Sequence, residues 1–362
     1  MYETALRLIR KIEEYGFKAY IVGGYPRDLY LNRESVDIDI CTSATPKDVK
    51  EIFSGSILPR QEYGGVTVIS NNIRFEITTF RKEIKYENNR FPVKIKYIDT
   101  LIDDLERRDF TINTLCIDCD GNTIDLLNAK KDLDEKVIRC VGNTDKKIKE
   151  DILRSLRAIR FATILDFKLD KNLKKTIRKY GHLLKRLSYY RKKEELEKIF
   201  ASSNCQYGLQ LIKELKLVKF LELSNFDNLV VTTSSLAMWA QLDVLDIYSF
   251  TSNEKKTIID IQEVLKKEAI DNYTLYKYDL YVCTLAGEIK GLDRANLVKQ
   301  YTNLPISNKK DIAIKSDEIC KILNKSPGLF LKDIYKDLEY KVLNNELMNE
   351  KDSLKKYIET LK

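Results

Sequence analysis

The sequence predicts an α+β fold, with a mixed or antiparallel sheet near the N-terminus and an all-helical remainder. Before about residue 145, runs typical of strands alternate with short helical patterns. After that point, nearly every segment repeats with helical period and carries Lys and Glu on its outer positions. The predicted strands cover residues 18–22, 35–41, 65–69, 73–79, 93–98, 114–119, 123–126 and 137–141.

Local signals mark the boundaries of several elements. Thr45 precedes Pro46, which predicts an N-cap followed by proline at the first helical position. Turns are expected at residues 71–72 and 120–122, where Asn, Asp and Gly separate two strand-like runs and so favour hairpins. The segment 81–92 is polar, charged and weakly periodic, which predicts a mobile loop.

Composition limits the classes of function. The 362 residues include 63 Lys and Arg against 55 Asp and Glu, a formal charge of +8 that fits a polyanionic partner. Basic runs at 171–179 and 185–198 indicate either contact with phosphates or solvated helix faces. No apolar run reaches about 18 residues, and residues 1–17 lack the pattern of a secretory signal, so we expect no membrane span and a cytoplasmic protein.

Cysteine and histidine usage excludes other chemistry. Seven cysteines are scattered and odd in number, which argues against a disulfide framework. Cys116 and Cys119 form a C-x-x-C, but no second pair follows at zinc-ligand spacing, so we interpret both as thiols of a core strand. His182 is the one histidine of the chain, which makes metal hydrolysis by histidine ligands and Ser-His-Asp catalysis poor interpretations.

Two aspartates on one predicted strand are the candidate catalytic and metal-binding residues. The run 35–41 alternates apolar and polar residues, so Val36 and its apolar neighbours share one face while Asp37 and Asp39 project from the other. Two close carboxylates repel unless a cation lies between them. Mg²⁺ suits such ligands, and in a two-metal site the ions activate an attacking hydroxyl and neutralise a leaving oxygen. A solvated strand face is the alternative.

A glycine turn precedes this acidic pair. Residues 18–22 form a buried strand in the prediction, and Gly23 and Gly24 let the backbone approach a phosphate before a short helix opens at Pro26. Glycine turn and helix start together make an anion cradle, to which Arg27 adds a positive charge. The alternative, a plain strand-turn-helix corner, leaves the following acidic pair unexplained.

The motifs resemble, in kind and in order, those of the class II tRNA nucleotidyltransferases, the bacterial CCA-adding enzymes. The resemblance covers roughly residues 18 to 200, and beyond about residue 205 only helices are recognisable. It rests on Gly23 to Asp28, Asp37 to Asp39, Arg107 to Asn113, Glu150 to Arg154, Arg157 to Ala162 and Ser188 to Leu196.

The resemblance implies an activity and a domain organisation. Members of this family add two C and one A, from CTP and ATP, to the 3′ end of tRNA without a nucleic-acid template. The implied chain is seahorse-shaped, with a catalytic nucleotidyltransferase head over 1–143, a neck with the nucleotide-selecting helix over 144–204, a helical body over 205–270 and a tRNA-binding helical tail over 271–362.

Asp151 and Arg154 are predicted to select the base. Residues 150–154 are expected to open a helix, on which positions 151 and 154 are neighbours one turn apart. The pair presents an acceptor and a donor, which match the amino group and ring nitrogen of cytosine and of adenine. Guanine and uracil would oppose a carbonyl to Asp151, at roughly 1–3 kcal/mol per buried group. An ordinary i,i+3 salt bridge is the alternative.

Further arginines are assigned to nucleotide binding by the resemblance alone. These are Arg108, Arg157 and Arg160. At roughly 100° per residue, positions 151 and 160 point about half a turn apart on a helix, so Arg157 reaches base or triphosphate while Arg160 serves another part of the site or packs structurally.

Related functions stay open at this point. In the family, a loop at the position of 81–92 is needed for the final A, and Glu83, Tyr86, Arg90 and Pro92 resemble its usual pattern. An enzyme that adds only A shares this loop, and a bacterial poly(A) polymerase shares the head motifs. A non-catalytic RNA-binding protein is the remote alternative. The sequence leaves the oligomeric state undetermined.

Overall fold

The computed structural model describes residues 1–53, 64–87 and 91–362. They form two compact units, Met1–Glu222 and Leu223–Lys362. The strands are β1 Ala19–Val22, β2 Asp39–Thr42, β3 Gly65–Ser70, β4 Ile73–Thr79, β5 Arg81–Glu87, β6 Phe91–Tyr97, β7 Cys116–Ile117, β8 Thr123–Ile124, β9 Val137–Ile138 and β10 Lys168–Leu169. All of these strands lie in the first unit.

Helices run through both units. Those of the first unit are α1 Tyr2–Glu14, α2 Gly24–Tyr30, α3 Pro46–Ile52, α4 Leu101–Glu106, α5 Ala129–Asp134, α6 Thr144–Glu150, α7 Leu153–Leu165, α8 Lys171–Tyr180, α9 Tyr189–Phe200, α10 Cys205–Glu214 and α11 Val218–Leu221. Those of the second are α12 Ser235–Gln241, α13 Ser252–Leu265, α14 Asn272–Ile289, α15 Arg294–Thr302, α16 Ser316–Leu323, α17 Phe330–Leu343 and α18 Lys351–Glu359. The predicted α+β fold is confirmed, although β10 lies in the stretch predicted to be all-helical and pairs with β9. The division into four domains stays a prediction.

Six of the described strands form one mixed sheet in the order β3-β4-β2-β1-β7-β8. β2 and β4 run parallel, whereas the other neighbours run antiparallel. A parallel pair needs a crossover connection, and the chain between β2 and β4 contains α3 and β3. β5 and β6 form a separate two-stranded sheet.

Both faces of the mixed sheet are buried, which fixes the orientation of the site residue on β2. Ile21 and Ile40 belong to the core cluster with α1 and α3, whereas their neighbours Val22 and Cys41 belong to the cluster with α4. Since side chains alternate along a strand, Asp39 shares the face of Cys41. Asp39 therefore faces the side of the sheet on which α4 lies.

Two strand predictions are corrected. β2 begins at Asp39 rather than at residue 35, and Val36, predicted to share a strand face with Ile38 and Ile40, is 81% exposed, whereas Ile38 and Ile40 are buried. Segment 81–92, predicted as a loop, supplies β5 and the start of β6, because pairing satisfies the backbone of polar strands as well. Residues 88–90 and the side chains of 83, 86 and 92 lie outside what the structure describes.

Several local predictions are confirmed. Thr45 forms a capping box with Asp48 at the start of α3, and proline occupies the first position of that helix. Asn71 and Asn72 both have positive φ, as the tight turn between β3 and β4 requires. All seven cysteines lie among the described residues and are free.

The second unit has its own apolar core. Buried residues of α16, α17 and α18 form one cluster, which includes Ile319, Leu338 and Ile358. Trp239 of α12 is fully buried and packs with its ring centroid 4.9 Å from that of Tyr248. Across the described residues, no helix combines the length and apolarity needed to cross a bilayer.

Candidate active site

A cavity of about 470 Å³ in the first unit brings together most of the predicted site residues. Its lining includes the predicted residues Gly24, Arg27, Asp37, Asp39, Arg108 and Arg157. It also includes residues that were not predicted, among them Asp28, Asp109, Asn113 and Phe161. Residues from the glycine turn, from β2 and from α7 thus meet at one place.

The two predicted metal ligands lie in an environment that favours a cation. Asp39 is exposed to the cavity, yet partial desolvation by the surrounding protein raises its pKa, and the negative charges of Glu76 and Asp37 raise it further, against the opposing charge of Arg108. Glu76 is the partner of Asp39 in the parallel pairing of β2 with β4. A divalent ion on the carboxylates of Asp37 and Asp39 would relieve this repulsion.

The glycine turn packs directly against Asp39. Gly23 has φ of 87°, a left-handed conformation that glycine adopts without strain, and a Cβ added there would lie 3.3 Å from Oδ2 of Asp39. α2 begins at Gly24 rather than at Pro26 as predicted, because Gly23 is already its N-cap. The turn therefore brings the start of a helix and its unpaired N–H groups beside the acidic pair.

Arg27 is buried and held by two partners. Its Nε and Nη2 donate to the carboxylate of the adjacent Asp28 at 2.9 and 2.8 Å, and its Nη1 donates to Oδ1 of Asn113 at 2.7 Å. These bonds orient the guanidinium group, which lines the cavity. The sequence signal for Asn113 was its place in the Arg107 to Asn113 motif.

Asp104 is a buried anchor that the sequence interpretation missed as a site residue. Its carboxylate is fully buried and accepts from Nε of Arg107 at 2.8 Å and from Nη2 of Arg108 at 3.2 Å. It also accepts from the backbone N–H of Arg81 at 3.1 Å. One carboxylate of α4 thus holds both arginines of the Arg-Arg pair.

Asp109 links the segment after α4 to α7, within the first unit. Its Oδ2 accepts from Nε and Nη2 of Arg157 at 2.8 and 2.6 Å, and its Oδ1 accepts from Nδ2 of Asn113 at 3.0 Å. Although burial opposes this, the charge of Arg157 and the hydrogen bonds from Asn113, Arg157 and the Phe110 N–H hold the pKa of Asp109 well below its usual range. Its ion pair with Arg157 therefore favours the anionic form of Asp109.

A second cavity, of about 250 Å³, lies beside the first. Its lining comprises Arg107, Arg108, Asp109, Asp151, Arg154 and Arg157. Arg108, Asp109 and Arg157 line both cavities. The predicted base-selecting residues therefore open onto a space that adjoins the cavity lined by Asp37 and Asp39.

The helix predicted to open at Glu150 begins later. α6 ends at Glu150, α7 starts at Leu153, and Oδ1 of Asp151 accepts from the Leu153 N–H at 3.0 Å. The chain turns between two helices here, so Asp151 lies in the turn before α7, whose N-cap is Ile152, instead of within the helix. Arg154 is buried, and its Nη1 and Nη2 donate to backbone carbonyls of Lys147 and Arg107 at 3.1 and 3.3 Å.

Arg160 lies apart from the other predicted arginines. It lines neither cavity, and its Nε donates to Oε2 of the buried Glu195 on α9 at 2.6 Å. The half-turn rotation between Asp151 and Arg160 accounts for this placement. The predicted contact of Arg160 with nucleotide stays a prediction.

Comparison with protein-family models divides the chain into three matched segments. Residues 19–139 match the Poly A polymerase head domain. Residues 166–226 match a model described as the probable RNA and SrmB-binding site of polymerase A. Residues 229–358 match the putative tRNA nucleotidyltransferase domain 2.

Whole-chain comparisons agree. The chain is 32% identical to the CCA-adding enzyme of Ligilactobacillus salivarius, over 98% of this chain and 95% of that protein. Identity to the CCA-adding enzyme of Lactococcus lactis subsp. cremoris strain MG1363 is 35%, over 95% of this chain and 92% of that protein.

Solved structures share the fold along nearly the whole chain. The Bacillus stearothermophilus CCA-adding enzyme in complex with CTP superposes with a TM-score of 0.83 and 26% identity, covering 99% of this chain and 97% of that one. The Thermotoga maritima CCA-adding enzyme complexed with tRNA, at 21% identity and a TM-score of 0.72, shares the fold over 99% of this chain and 95% of that one. This chain belongs to the bacterial CCA-adding enzymes, a family of tRNA nucleotidyltransferases.

Proposed function

We propose that this chain adds C, C and A to the 3′ end of tRNA from CTP and ATP, with release of pyrophosphate. The observation that carries the proposal is the sharing of Arg108, Asp109 and Arg157 between the two cavities. A nucleotide bound across this junction places its triphosphate beside Asp37 and Asp39 and its base beside the second cavity. The same bound nucleotide then has its base selected in the second cavity and its α-phosphate attacked in the first.

Divalent metal ions serve this family, and we infer magnesium held by Asp37 and Asp39. Asp37 and Asp39 line one cavity, and desolvation and the neighbouring carboxylates raise the pKa of Asp39, which fits a cation placed between the two carboxylates. Their carboxylates would supply the hard oxygen ligands that magnesium prefers. When bound, magnesium neutralises phosphate charge and lowers the pKa of a coordinated hydroxyl.

The protein's own cations orient the triphosphate. Arg27 and Arg108 are held in place by Asp28, Asn113 and Asp104, so their positions need no rearrangement when substrate enters. Gly24 begins α2, and its lack of a side chain lets phosphate oxygens reach the backbone N–H groups. Attack by the terminal 3′-hydroxyl of tRNA on the α-phosphate then displaces pyrophosphate, whose charge faces this cluster of arginines.

Base choice falls to Asp151 and Arg154 in the second cavity. A carboxylate acceptor and a guanidinium donor fit the amino group and ring nitrogen of C and of A. The carbonyl of G or U would face the Asp151 carboxylate, which leaves two acceptors unpaired at roughly 1–3 kcal/mol. Because Asp151 is fixed by its bond to the Leu153 N–H, it resists turning away from a wrong base.

We place part of the tRNA contact on the basic face of α8. Lys171, Lys174, Lys175, Arg178 and Lys179 follow helical spacing along one side and line a groove of about 450 Å³. Like charges four residues apart cost a helix about 0.2–0.5 kcal/mol per pair, so a polyanion on this face stabilises it. Within the described residues, Lys171 and Lys175 have no ion-pair partner.

A cytoplasmic location stays a prediction.

The product formed on trimmed tRNA tests the function. tRNA lacking its 3′ CCA and tRNA lacking only the final A are each incubated with CTP, ATP or both, and the products are sequenced. We expect CCA on the first substrate and one A on the second. Activity restricted to the second substrate would instead indicate an A-only enzyme, and a long A tail would indicate a poly(A) polymerase.

A further inference from the structure

Phe161 of α7 is surrounded by three guanidinium groups. Its ring centroid lies 5.2 Å from Cζ of Arg27, 5.4 Å from Cζ of Arg157 and 4.2 Å from Cζ of Arg160. Phe161 is 7% exposed and lines the larger cavity. A guanidinium within about 6 Å of a ring centroid is attracted to the electron-rich face, more strongly where water is excluded.

Each of these arginines has its own carboxylate partner. The ion pairs are Arg27 with Asp28 at 2.8 Å, Arg157 with Asp109 at 2.6 Å and Arg160 with Glu195 at 2.6 Å. The carboxylates come from α2, from the segment after α4 and from α9, and they pull the three guanidinium groups toward different elements. The ring of Phe161 is the group that all three contact.

The three cations also repel one another. Burial lowers the pKa of Arg160, Glu195 raises it, and the positive charge of Arg157 lowers it, which places Arg157 and Arg160 within electrostatic reach. The face of an aromatic ring is a surface on which like-charged guanidinium groups gather without a further carboxylate. Phe110 is fully buried and supports the ring edge-on, with centroids 5.9 Å apart.

We propose that Phe161 is a positioning residue for nucleotide binding, and that Arg160 acts on the nucleotide through this ring rather than by touching it. The inference rests on the proposed function, since Arg27 and Arg157 are the groups that would meet the nucleotide. Arg160 packs on the ring from the side of Glu195, outside both cavities. By fixing the position of the ring, Arg160 also fixes the positions of Arg27 and Arg157, which pack on the same ring and line the larger cavity.

Three substitutions separate positioning from packing. Phe161→Leu keeps an apolar side chain and removes the ring, whereas Phe161→Tyr keeps the ring. Phe167→Leu, just after α7, is the matched control because Phe167 is also buried and no arginine packs on its ring among the described contacts. Steady-state KM for CTP and for ATP, KM for tRNA, kcat and Tm are measured for each variant.

We expect Phe161→Leu to raise KM for both nucleotides about tenfold, the order expected when partly desolvated cation–π contacts are lost. Phe161→Tyr should keep a near-native KM for both nucleotides. Phe167→Leu should lower Tm about as much as Phe161→Leu does, but leave KM unchanged. Equal KM values for Phe161→Leu and Phe167→Leu would overturn the inference, as would a Tyr variant as impaired as the Leu variant.

A double-mutant cycle tests the role of Arg160. Arg160→Lys keeps a charge for Glu195 and loses the flat guanidinium, so it should raise the nucleotide KM in the native background and have no further effect in Phe161→Leu. Additive effects would mean that Arg160 acts independently of the ring. Absence of any CCA addition by the native protein refutes the proposed function, whereas native addition with unaltered KM in Phe161→Leu refutes this inference alone.

Discussion

Arg157 donates two hydrogen bonds to one carboxylate oxygen of Asp109, 48 residues earlier in the chain, at 2.8 and 2.6 Å. Asp109 follows α4 and Arg157 lies on α7, so this ion pair links the sheet-containing part of the first unit to the helix after Asp151. Both residues line both cavities. The pair therefore fixes the position of one cavity of the proposed nucleotide site relative to the other.

Replacing Asp109 by Asn should reduce stability in a way that depends on pH. The folded-state pKa of Asp109 is depressed, so its contribution is fully present above the unfolded value of about 3.9 and is lost as pH falls toward the folded value. At pH 7 we expect Asp109→Asn to lower the free energy of unfolding by about 2 kcal/mol. Denaturant unfolding of both proteins between pH 7 and pH 3 measures this.

The difference between the two proteins should narrow as pH drops below about 4, because the native carboxylate then loses its advantage over the unfolded one. A difference that stays constant with pH would contradict the ion-pair interpretation. Because the two units of the chain need not unfold together, the comparison uses the unfolding transition of the first unit, which contains Asp109.

Asp37→Ala should abolish nucleotide addition and preserve the fold. Asp37 is exposed, so its removal opens no cavity in the core. Loss of a metal ligand removes several kcal/mol of charge stabilisation, and we expect the rate to fall at least about 10³-fold. Incorporation of labelled CTP and Tm are the measurements, with the exposed Asp120→Ala as the control. Native turnover by Asp37→Ala would refute its assignment as a metal ligand.

Asp151→Asn should relax base selection. The amide can donate to the carbonyl of uracil or guanine, and its oxygen can still accept from the Leu153 N–H, so the turn before α7 should keep its structure. The preference for CTP over UTP in kcat/KM should fall about 10- to 100-fold.

Competition between CTP and UTP at equal concentrations measures this preference directly. Asp293→Asn, at the cap of α15, is the matched control, because its carboxylate accepts from the N–H groups of Ala295 and Asn296. If Asp151→Asn selects as strictly as the native protein, Asp151 does not contact the base.

Lys171→Gln with Lys175→Gln should weaken tRNA binding and its dependence on salt. Each contact with a phosphate contributes about 0.7–0.9 to the steepness of the slope of log affinity against log salt concentration. The slope of the double variant should therefore be shallower by about 1.4–1.8. Filter binding of tRNA from low to physiological salt measures the slope, and KM for CTP should not change.

Lys47→Gln with Lys50→Gln on α3 serves as the comparison, because both lysines are exposed and α3 packs on the sheet face opposite to Asp39. An equal loss of slope in both double variants would show that net charge, and not the α8 face, accounts for the effect.

Local chemistry explains which elements could be predicted. The cap at Thr45 and the turn at Asn71 and Asn72 depend on neighbours within a few residues, and the structure confirms them. Segment 81–87 could not be predicted as a strand, because its polar side chains give no periodic signal and its backbone is satisfied only by pairing with β6.

The sequence by itself determined the chemical groups of the site: the acidic pair Asp37 and Asp39, the glycine turn and the arginines of the motifs. The tertiary structure alone decided which of these groups line the cavities. Arg157 lines both cavities, whereas Arg160 lines neither and pairs with Glu195. The reason is that the orienting bonds span long stretches of chain, as between Arg27 and Asn113, 86 residues apart. Such contacts depend on packing of whole elements, and no short-range pattern encodes them.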